Sequence, residues 1–179
     1  VILTAAHVAI SVEDGYIQFD KEGICIEVSE VWMHPEWDPG ITMRNDIGLL
    51  KLVCDVYDVT PLALANYNTN LYRYGSNIFT VGCSLAYKKQ SLPNTIFYYG
   101  TLLSSPAELK LRSTVSTIWF GDSGGPAVLH QKDGTVVVVG VVVRFALFQS
   151  EIMDFTAVDV REFTDQLTIV IDLWELDEV

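Results

Sequence analysis

GDSGGP, at residues 121–126, is the most informative stretch of this chain of 179 residues. It contains Ser123, and two earlier segments give that serine its significance: TAAH ends at His7, and NDIGLL contains Asp46. A serine hydroxyl is a poor nucleophile until a neighbouring imidazole accepts its proton, and the imidazole needs a carboxylate that fixes its tautomer. The chain therefore offers one candidate for each role, in the order histidine, aspartate, serine.

These segments resemble the motifs of the chymotrypsin/trypsin family of serine endopeptidases. The family's histidine lies in a TAAH segment, its aspartate at the start of a DIxLLKL-like strand, and its serine in GDSGGP. The chain matches them at residues 4–7, 46–52 and 121–126. A single G-x-S-x-G is weak evidence, whereas three motifs in the family's order are specific. The resemblance extends over nearly the whole chain.

The resemblance implies an all-β fold of two antiparallel β-barrels with a C-terminal α-helix. We expect residues 1–70 to form the N-terminal barrel with His7 and Asp46, and residues 71–179 to form the C-terminal barrel with Ser123 and the terminal helix. The family places two or three strands before its histidine motif, so the first barrel is expected to be N-terminally incomplete. The catalytic site is expected in the cleft between the barrels.

The hydrophobic pattern favours β-structure independently of the resemblance. Short apolar or alternating runs are separated by turn signals such as DPG, LPN and KDG. The last segment differs, because apolar residues from Val160 to Trp174 recur at helical spacing, with Asp159 as the expected N-cap. The predicted strands are residues 15–19, 24–32, 47–52, 77–81, 96–103, 111–117, 126–129, 136–145 and 154–158.

The resemblance also implies a role for each residue of the site. Ser123 is the nucleophile, His7 is the general base and then the general acid, and Asp46 orients the imidazole. The N–H groups of Gly121 and Ser123 form the oxyanion hole, where a side chain at position 121 would crowd the approaching carbonyl. Asp122 is linked to activation, since in the family its carboxylate pairs with the N-terminal ammonium that cleavage creates.

A gap-free match to the family pattern gives the expected substrate-binding residues. Thr117 falls on the pocket floor, so no carboxylate awaits an Arg or Lys side chain of the substrate. Val143 and Phe145 stand in the wall strand where many members have serine and glycine, and Met153 is expected to narrow the opposite wall. These residues predict a shallow, uncharged pocket for small or medium apolar side chains, or one that is largely closed.

Two functions from different classes remain open. One is a serine endopeptidase that works through an acyl-enzyme and needs no cofactor or metal. The other is a catalytically weak or inactive homologue that uses the fold to bind a protein partner, which Val143 and Phe145 favour because they depart from the family pattern. GDSGG also fits the nucleophile elbow of α/β-hydrolases, but that fold requires a helix after the serine, and Pro126 leads into a predicted strand.

Composition limits the expected partners. The formal net charge of -12 argues against nucleic-acid binding, because phosphate contacts need clustered Lys and Arg. The longest apolar run, residues 136–143, is well short of the roughly 20 residues that span a bilayer. We expect a protein or peptide substrate, with a proteinaceous inhibitor as a further partner, no nucleic acid and no membrane span.

Cysteine usage bears on the compartment. The family suggests a secreted protein, but the chain shows no signal peptide and has only Cys25, Cys54 and Cys83. Their spacing fits no zinc pattern, and isolated thiols are favoured over a disulfide, which weakens the inference of an oxidising compartment. His34 and His130 have no metal-ligand company in the sequence and are predicted to be structural or solvated.

Overall fold

The chain divides into two compact units, and each is described by itself. Unit 1 comprises Val1–Pro61 and Asp165–Val179, and unit 2 comprises Leu62–Thr164. The computed structural model describes residues 1–12, 15–19, 23–40, 44–57, 59–69, 71, 78–82, 89–90, 95–100, 108–113, 120–146 and 153–176.

Unit 1 is built on a four-stranded antiparallel sheet that forms a half-barrel. On β3, Ile26 and Val28 are buried in the core with Leu50, whereas Glu27 between them is exposed, because successive side chains of a strand face opposite sides. The spatial order of the strands is β1-β4-β3-β2. The elements are β1 (Ile2–Thr4), the single-turn helix α1 (Ala6–Ala9), a 3₁₀ turn (Ile10–Val12), β2 (Tyr16–Phe19), β3 (Ile24–Met33) and β4 (Gly48–Leu52).

Unit 2 contains an eight-stranded sheet. Its strands are β5 (Ala63–Leu64), β6 (Ile78–Gly82), β7 (Lys89–Gln90), β8 (Thr95–Gly100), β9 (Glu108–Ser113), β10 (Pro126–His130), β11 (Val136–Ala146) and β12 (Met153–Asp159). Antiparallel neighbours follow the order β7-β6-β10-β11-β12-β9-β8, and β5 pairs in parallel with β11. The central strand β11 buries Val139, Val141 and Val142, as its apolar run of valines around Gly140 predicts.

The fold class predicted from the sequence is confirmed: the chain is mostly β, consistent with two barrels of which the first is a half-barrel, and it has a C-terminal helix. The predicted strands correspond to β2–β4, β6 and β8–β12, with ends that differ by a few residues. The predicted extensions to residues 103 and 117 lie outside the described residues. The sequence does not predict β1, β5 and β7, because two or three residues show no periodicity.

The C-terminal helix α2 (Thr164–Leu176) begins later than its apolar spacing predicts. Asp159 does act as a cap, but it caps a 3₁₀ turn (Val160–Glu162) by accepting a hydrogen bond from the backbone N–H of Arg161. The apolar residues of the turn are buried like those of a helix, so the spacing alone does not separate the two.

From Asp165 onward the helix groups with unit 1, whereas the sequence grouped it with residues 71–179. Lys51 of β4 explains part of this difference, because its Nζ donates to the backbone carbonyl of Trp174 at 3.2 Å. A cation at the last carbonyls of a helix satisfies acceptors that the helix itself leaves open. The chain passes from unit 1 to unit 2 after Pro61, earlier than the boundary at residue 70 that the sequence suggests.

A buried ion pair lies at the end of β12, between Asp159 and Arg161 of the following 3₁₀ turn. Asp159 is 0 % exposed and Arg161 is 3 % exposed. Arg161 Nη2 lies 2.6 Å from Asp159 Oδ2, and its Nε donates to Oδ1 at 3.0 Å. Arg161 Nη1 also donates to the carbonyl of Thr69 at 3.3 Å, which anchors the segment after β5. Because an unpaired buried charge is strongly destabilising, unit 2 depends on this pair.

We therefore expect Arg161→Met to lower the free energy of unfolding by about 3–5 kcal/mol, because it leaves the Asp159 carboxylate buried without its cation. The matched control is Arg112→Met. Arg112 makes a two-point pair with Asp154 at 2.7 and 2.8 Å, but its side chain is 46 % exposed. Its loss should lower the free energy of unfolding much less, because solvent screens an exposed pair. Urea unfolding followed by circular dichroism measures both, and equal losses would contradict the argument.

Candidate active site

Helix α1 presents His7 in unit 1. The helix is a single turn in which Ala6 and Ala9 are fully buried, and the carbonyl of Ala5 accepts hydrogen bonds from the N–H groups of Val8 and Ala9. Small alanines let this turn pack closely in the core, and His7 between them keeps 28 % of its side chain exposed. The sequence TAAHVA thus holds the backbone of the histidine rigidly while leaving part of its ring accessible.

Asp46 binds His7 at two points. The carboxylate is 0 % exposed, its Oδ2 lies 2.6 Å from His7 Nδ1, and its Oδ1 accepts a hydrogen bond from the His7 backbone N–H at 2.9 Å. An ionised carboxylate only accepts hydrogen bonds, so a hydrogen bond between His7 and an ionised Asp46 requires the hydrogen on Nδ1. In the neutral imidazole Nε2 then carries the lone pair, which is the arrangement that a general base requires.

Asn45 forms the backbone turn directly before Asp46. The three sequence motifs assign no role to this residue. Its φ of 53° lies in the left-handed region, which asparagine tolerates better than most residues. Its side-chain nitrogen donates to the carbonyl of Glu36 at 3.0 Å, and its own carbonyl accepts from the N–H of Ile47 at 2.8 Å. An asparagine directly before the aspartate is the sequence signal that could have identified it.

In unit 2, Ser123 lies on a tight turn formed by glycines. Gly121 has φ 93° and Gly124 has φ 82°, conformations that side chains of L-residues disfavour. The turn is fixed to β11, because the N–H of Gly124 donates to the carbonyl of Val142 at 2.8 Å and the N–H of Val142 donates to Gly125 at 2.9 Å. Strand β10 follows directly, so the helix that a nucleophile elbow requires is not formed after Ser123.

The polar groups of Ser123 are only weakly engaged. Its hydroxyl lies 3.5 Å from the carbonyl of Val143, too long for a strong hydrogen bond, so it can reorient toward a better acceptor. In the part of the chain that the structure describes, the N–H groups of Gly121 and Ser123 have no hydrogen-bond acceptor. Val143 is the extra residue of a β-bulge between β11 and β12, a feature common beside active sites.

The predicted residues therefore fall into two groups. Unit 1 brings His7 and Asp46 into direct contact. Unit 2 brings Ser123 together with Val143, and the carboxylate of Asp122 is buried beside that serine. The chemical roles of these residues stay predictions.

His34, which the sequence predicts to be structural or solvated, makes several contacts within unit 1. Its Nδ1 accepts the backbone N–H of Glu36 at 3.1 Å, its ring meets Trp32 edge-on at 6.1 Å, and its own N–H donates to the carbonyl of Ile47 at 3.1 Å. Burial lowers the pKa of His34, and the charge of Glu36 and a side-chain hydrogen bond with Gln166 oppose this shift in part. Burial thus favours the neutral imidazole of His34, whose backbone is bonded to Ile47 next to Asp46.

A family model described as Trypsin matches residues 1–150 of the 179 in the chain. The chain belongs to the trypsin family. Members of this family are serine peptidases, hydrolases that act on proteins or peptides, and they are often secreted. The match confirms the family that the three sequence motifs indicate. No curated protein matches the chain at a significant level.

Among the residues expected to shape the pocket in a trypsin-family member, Val143 is buried in β11. Phe145 lies further along the same strand, opposite Phe155, and Met153 begins β12. Thr117, together with the side chains of Phe145 and Met153, lies outside the described residues. The shape of the pocket therefore stays a prediction.

Further sequence expectations concern thiols, metals and membranes. Cys25 and Cys54 are free and exposed thiols, and Cys83 lies outside the described residues. His130 packs its ring 4.7 Å from that of Phe79. Over the described ranges, no cluster of three or more His, Cys, Asp or Glu could hold a metal ion. The same part of the chain contains no helix that is long and apolar enough to cross a bilayer.

We expect His34 to make stability depend on pH. Its folded pKa lies below the ordinary value of 6.5, so the unfolded chain binds the proton more readily than the folded chain. The free energy of unfolding should therefore fall as the pH drops below 6.5 and toward the folded pKa. In His34→Asn, whose amide oxygen can still accept the Glu36 N–H, this part of the loss should be absent.

Urea unfolding of both proteins between pH 7.5 and about 5 measures the effect. The stability of the protein with His34 should decline relative to that of the variant as the pH falls. A difference that stays constant, or that changes in the opposite direction, would show that burial of the ring does not disfavour its protonation.

Proposed function

We propose that the chain is a serine endopeptidase in which Ser123 is the nucleophile, His7 the general base and Asp46 the residue that orients the base. The observation that carries this proposal is the two-point contact of the fully buried Asp46 carboxylate with the ring and backbone of His7. A structural role alone would not require the side chain of His7 to stay 28 % exposed.

The reaction proceeds in two stages. The Oγ of Ser123 attacks the carbonyl carbon of the scissile peptide bond while its proton passes to Nε2 of His7. The tetrahedral intermediate collapses, the carbon–nitrogen bond breaks, and the leaving amine takes that proton from His7. A water molecule then attacks the acyl-enzyme in the same way, which releases the acid and regenerates the serine. The chemistry requires no metal or cofactor.

A positive charge develops on the imidazole and a negative charge on the substrate oxygen during this reaction, and the chain has a group suited to stabilise each. The buried carboxylate of Asp46 stabilises the imidazolium form of His7, because their 2.6 Å contact is shielded from water. The N–H groups of Gly121 and Ser123 are proposed to bind the oxyanion. Loss of one such donor typically raises the barrier by about 2.7–4 kcal/mol. The left-handed conformation of Gly121 supports this assignment.

The proposed substrates are proteins or peptides with a small or medium apolar side chain before the scissile bond. The family pattern assigns Thr117 to the pocket floor, where it would supply no carboxylate, and it assigns Val143, Phe145 and Met153 to the walls of a shallow, uncharged pocket. A proteinaceous inhibitor is a further partner of the same surface. Because the family is often secreted, we propose an extracellular location, with Asp122 involved in activation of the enzyme.

Labelling with a fluorophosphonate probe tests the proposed nucleophile. The protein should react, Ser123→Ala should not, and His7→Ala should lower the labelling rate about 10³-fold or more, because the hydroxyl loses its base. Ser29→Ala is the matched control, since Ser29 lies on an exposed part of β3 in unit 1 and should leave labelling unchanged.

A peptide library digested in parallel and read by mass spectrometry gives the specificity. Cleavage should follow small or medium apolar residues, and it should disappear with Ser123→Ala. Predominant cleavage after Arg or Lys would contradict the pocket. A folded protein that neither reacts with the probe nor cleaves any peptide would contradict the enzyme and favour the inactive, partner-binding homologue.

A further inference from the structure

We propose that Gly82, the last residue of β6, is a positioning residue for the turn that carries Ser123. Its missing side chain leaves the space in which the buried carboxylate of Asp122 lies. The inference rests on the proposed function, and it adds a residue to the site that lies outside the three sequence motifs.

The space at Gly82 is occupied by Asp122. A Cβ atom added to Gly82 would overlap with Oδ1 of Asp122 and would lie 3.1 Å from its Cβ. Asp122 is only 4 % exposed, so its carboxylate cannot simply turn outward into solvent. An added methyl group therefore has to displace the backbone of Asp122, the backbone of β6, or both.

Backbone conformation does not explain the glycine at position 82. Its φ lies outside the left-handed region, so alanine could adopt the same backbone conformation without strain. The described glycines that do need a positive φ are Gly23, Gly121, Gly124 and Gly134. Position 82 therefore requires glycine only for lack of space, so the effect of a substitution there should depend on the side chain of Asp122.

The same part of β6 also meets the other end of the turn. A Cβ on Gly125 would lie 2.6 Å from the carbonyl oxygen of Val81 and 3.0 Å from that of Asp122. The pairing of β6 with β10, in which Thr80 lies opposite Ala127, holds the two segments in this register. The turn and the strand thus approach through a glycine on each side, and this contact leaves little room for adjustment.

Displacement of Asp122 affects the reacting groups directly. The peptide bond that joins Asp122 to Ser123 carries the Ser123 N–H, which is one of the two proposed oxyanion donors. A shift of Asp122 rotates this donor and moves the adjacent Oγ. Gly82 contacts neither substrate nor reacting atoms, so it acts only through Asp122. Its substitution should lower the reaction rate of protein that remains folded.

A double-mutant cycle tests this inference. Gly82→Ala, Asp122→Ala and the double variant are compared with the unsubstituted protein by the second-order rate of fluorophosphonate labelling, at a temperature where circular dichroism shows all four folded. Gly82→Ala should slow labelling about 10-fold to 100-fold when Asp122 is present. Asp122→Ala removes the overlap with the carboxylate and leaves only the 3.1 Å contact with Cβ, so the same substitution should then change the rate less than about threefold. Asp122→Ser replaces Asp122→Ala if the latter does not fold.

Gly134→Ala is the matched control for a purely structural effect. Gly134 lies in the turn between β10 and β11 with φ +88°, and a Cβ there meets nothing within 4 Å. This variant should lose stability because of its backbone conformation and keep its labelling rate. An unchanged labelling rate in Gly82→Ala, or an equal loss with and without Asp122, would overturn the positioning role.

The unfolding midpoints in urea separate this inference from the proposed function. Gly82→Ala should lower the midpoint more when Asp122 is present than when it is replaced by alanine. If the unsubstituted protein is not labelled at all, the proposed function fails and the positioning role fails with it. In that case, changes in the unfolding midpoint that do not add up in the double variant would still support the packing of Gly82 against the carboxylate of Asp122. Changes that add up would overturn this packing as well.

Discussion

The arrangement of the proposed catalytic residues in unit 1 depends on the contact between the buried carboxylate of Asp46 and His7. A carboxylate with no exposure to water is stable only when its oxygens accept hydrogen bonds, and here the ring and the backbone N–H of one residue supply them. The topology makes this possible, because β1 and β4 are antiparallel with Thr4 opposite Gly48. The end of β1, which leads to His7, therefore lies beside the start of β4, which Asp46 precedes.

Unit 2 positions its serine by a different means. The turn around Ser123 is shaped by backbone rather than by side chains: two glycines supply positive φ angles, and hydrogen bonds to Val142 fix the turn on the central strand. The same turn contacts the end of β6 through Gly82. Because the peptide planes of the turn are fixed in this way, its backbone N–H groups have little freedom to reorient. A preorganised oxyanion site needs donors that are held in place.

The parts that could be predicted from the sequence are those with a local signal. The valine run of β11 indicates a buried strand, and each of the three motifs indicates a catalytic residue, from only a few neighbouring residues. Positions defined by a distant neighbour could not be predicted: Gly82 needs space only because Asp122 fills it, and α2 groups with unit 1 through contacts such as that of Lys51. The apolar stripe of a helix predicts that one face is buried, but it does not say against which strand.

The tautomer of His7 tests the central claim most directly. The histidines are labelled with ¹⁵N, the ring signals of His7 are assigned by their loss in His7→Gln, and long-range proton–nitrogen spectra are recorded at a pH where the ring is neutral. The account predicts a protonated Nδ1 and an unprotonated Nε2, with this preference lost in Asp46→Asn. A hydrogen on Nε2, or the same tautomer after removal of the carboxylate, would contradict it.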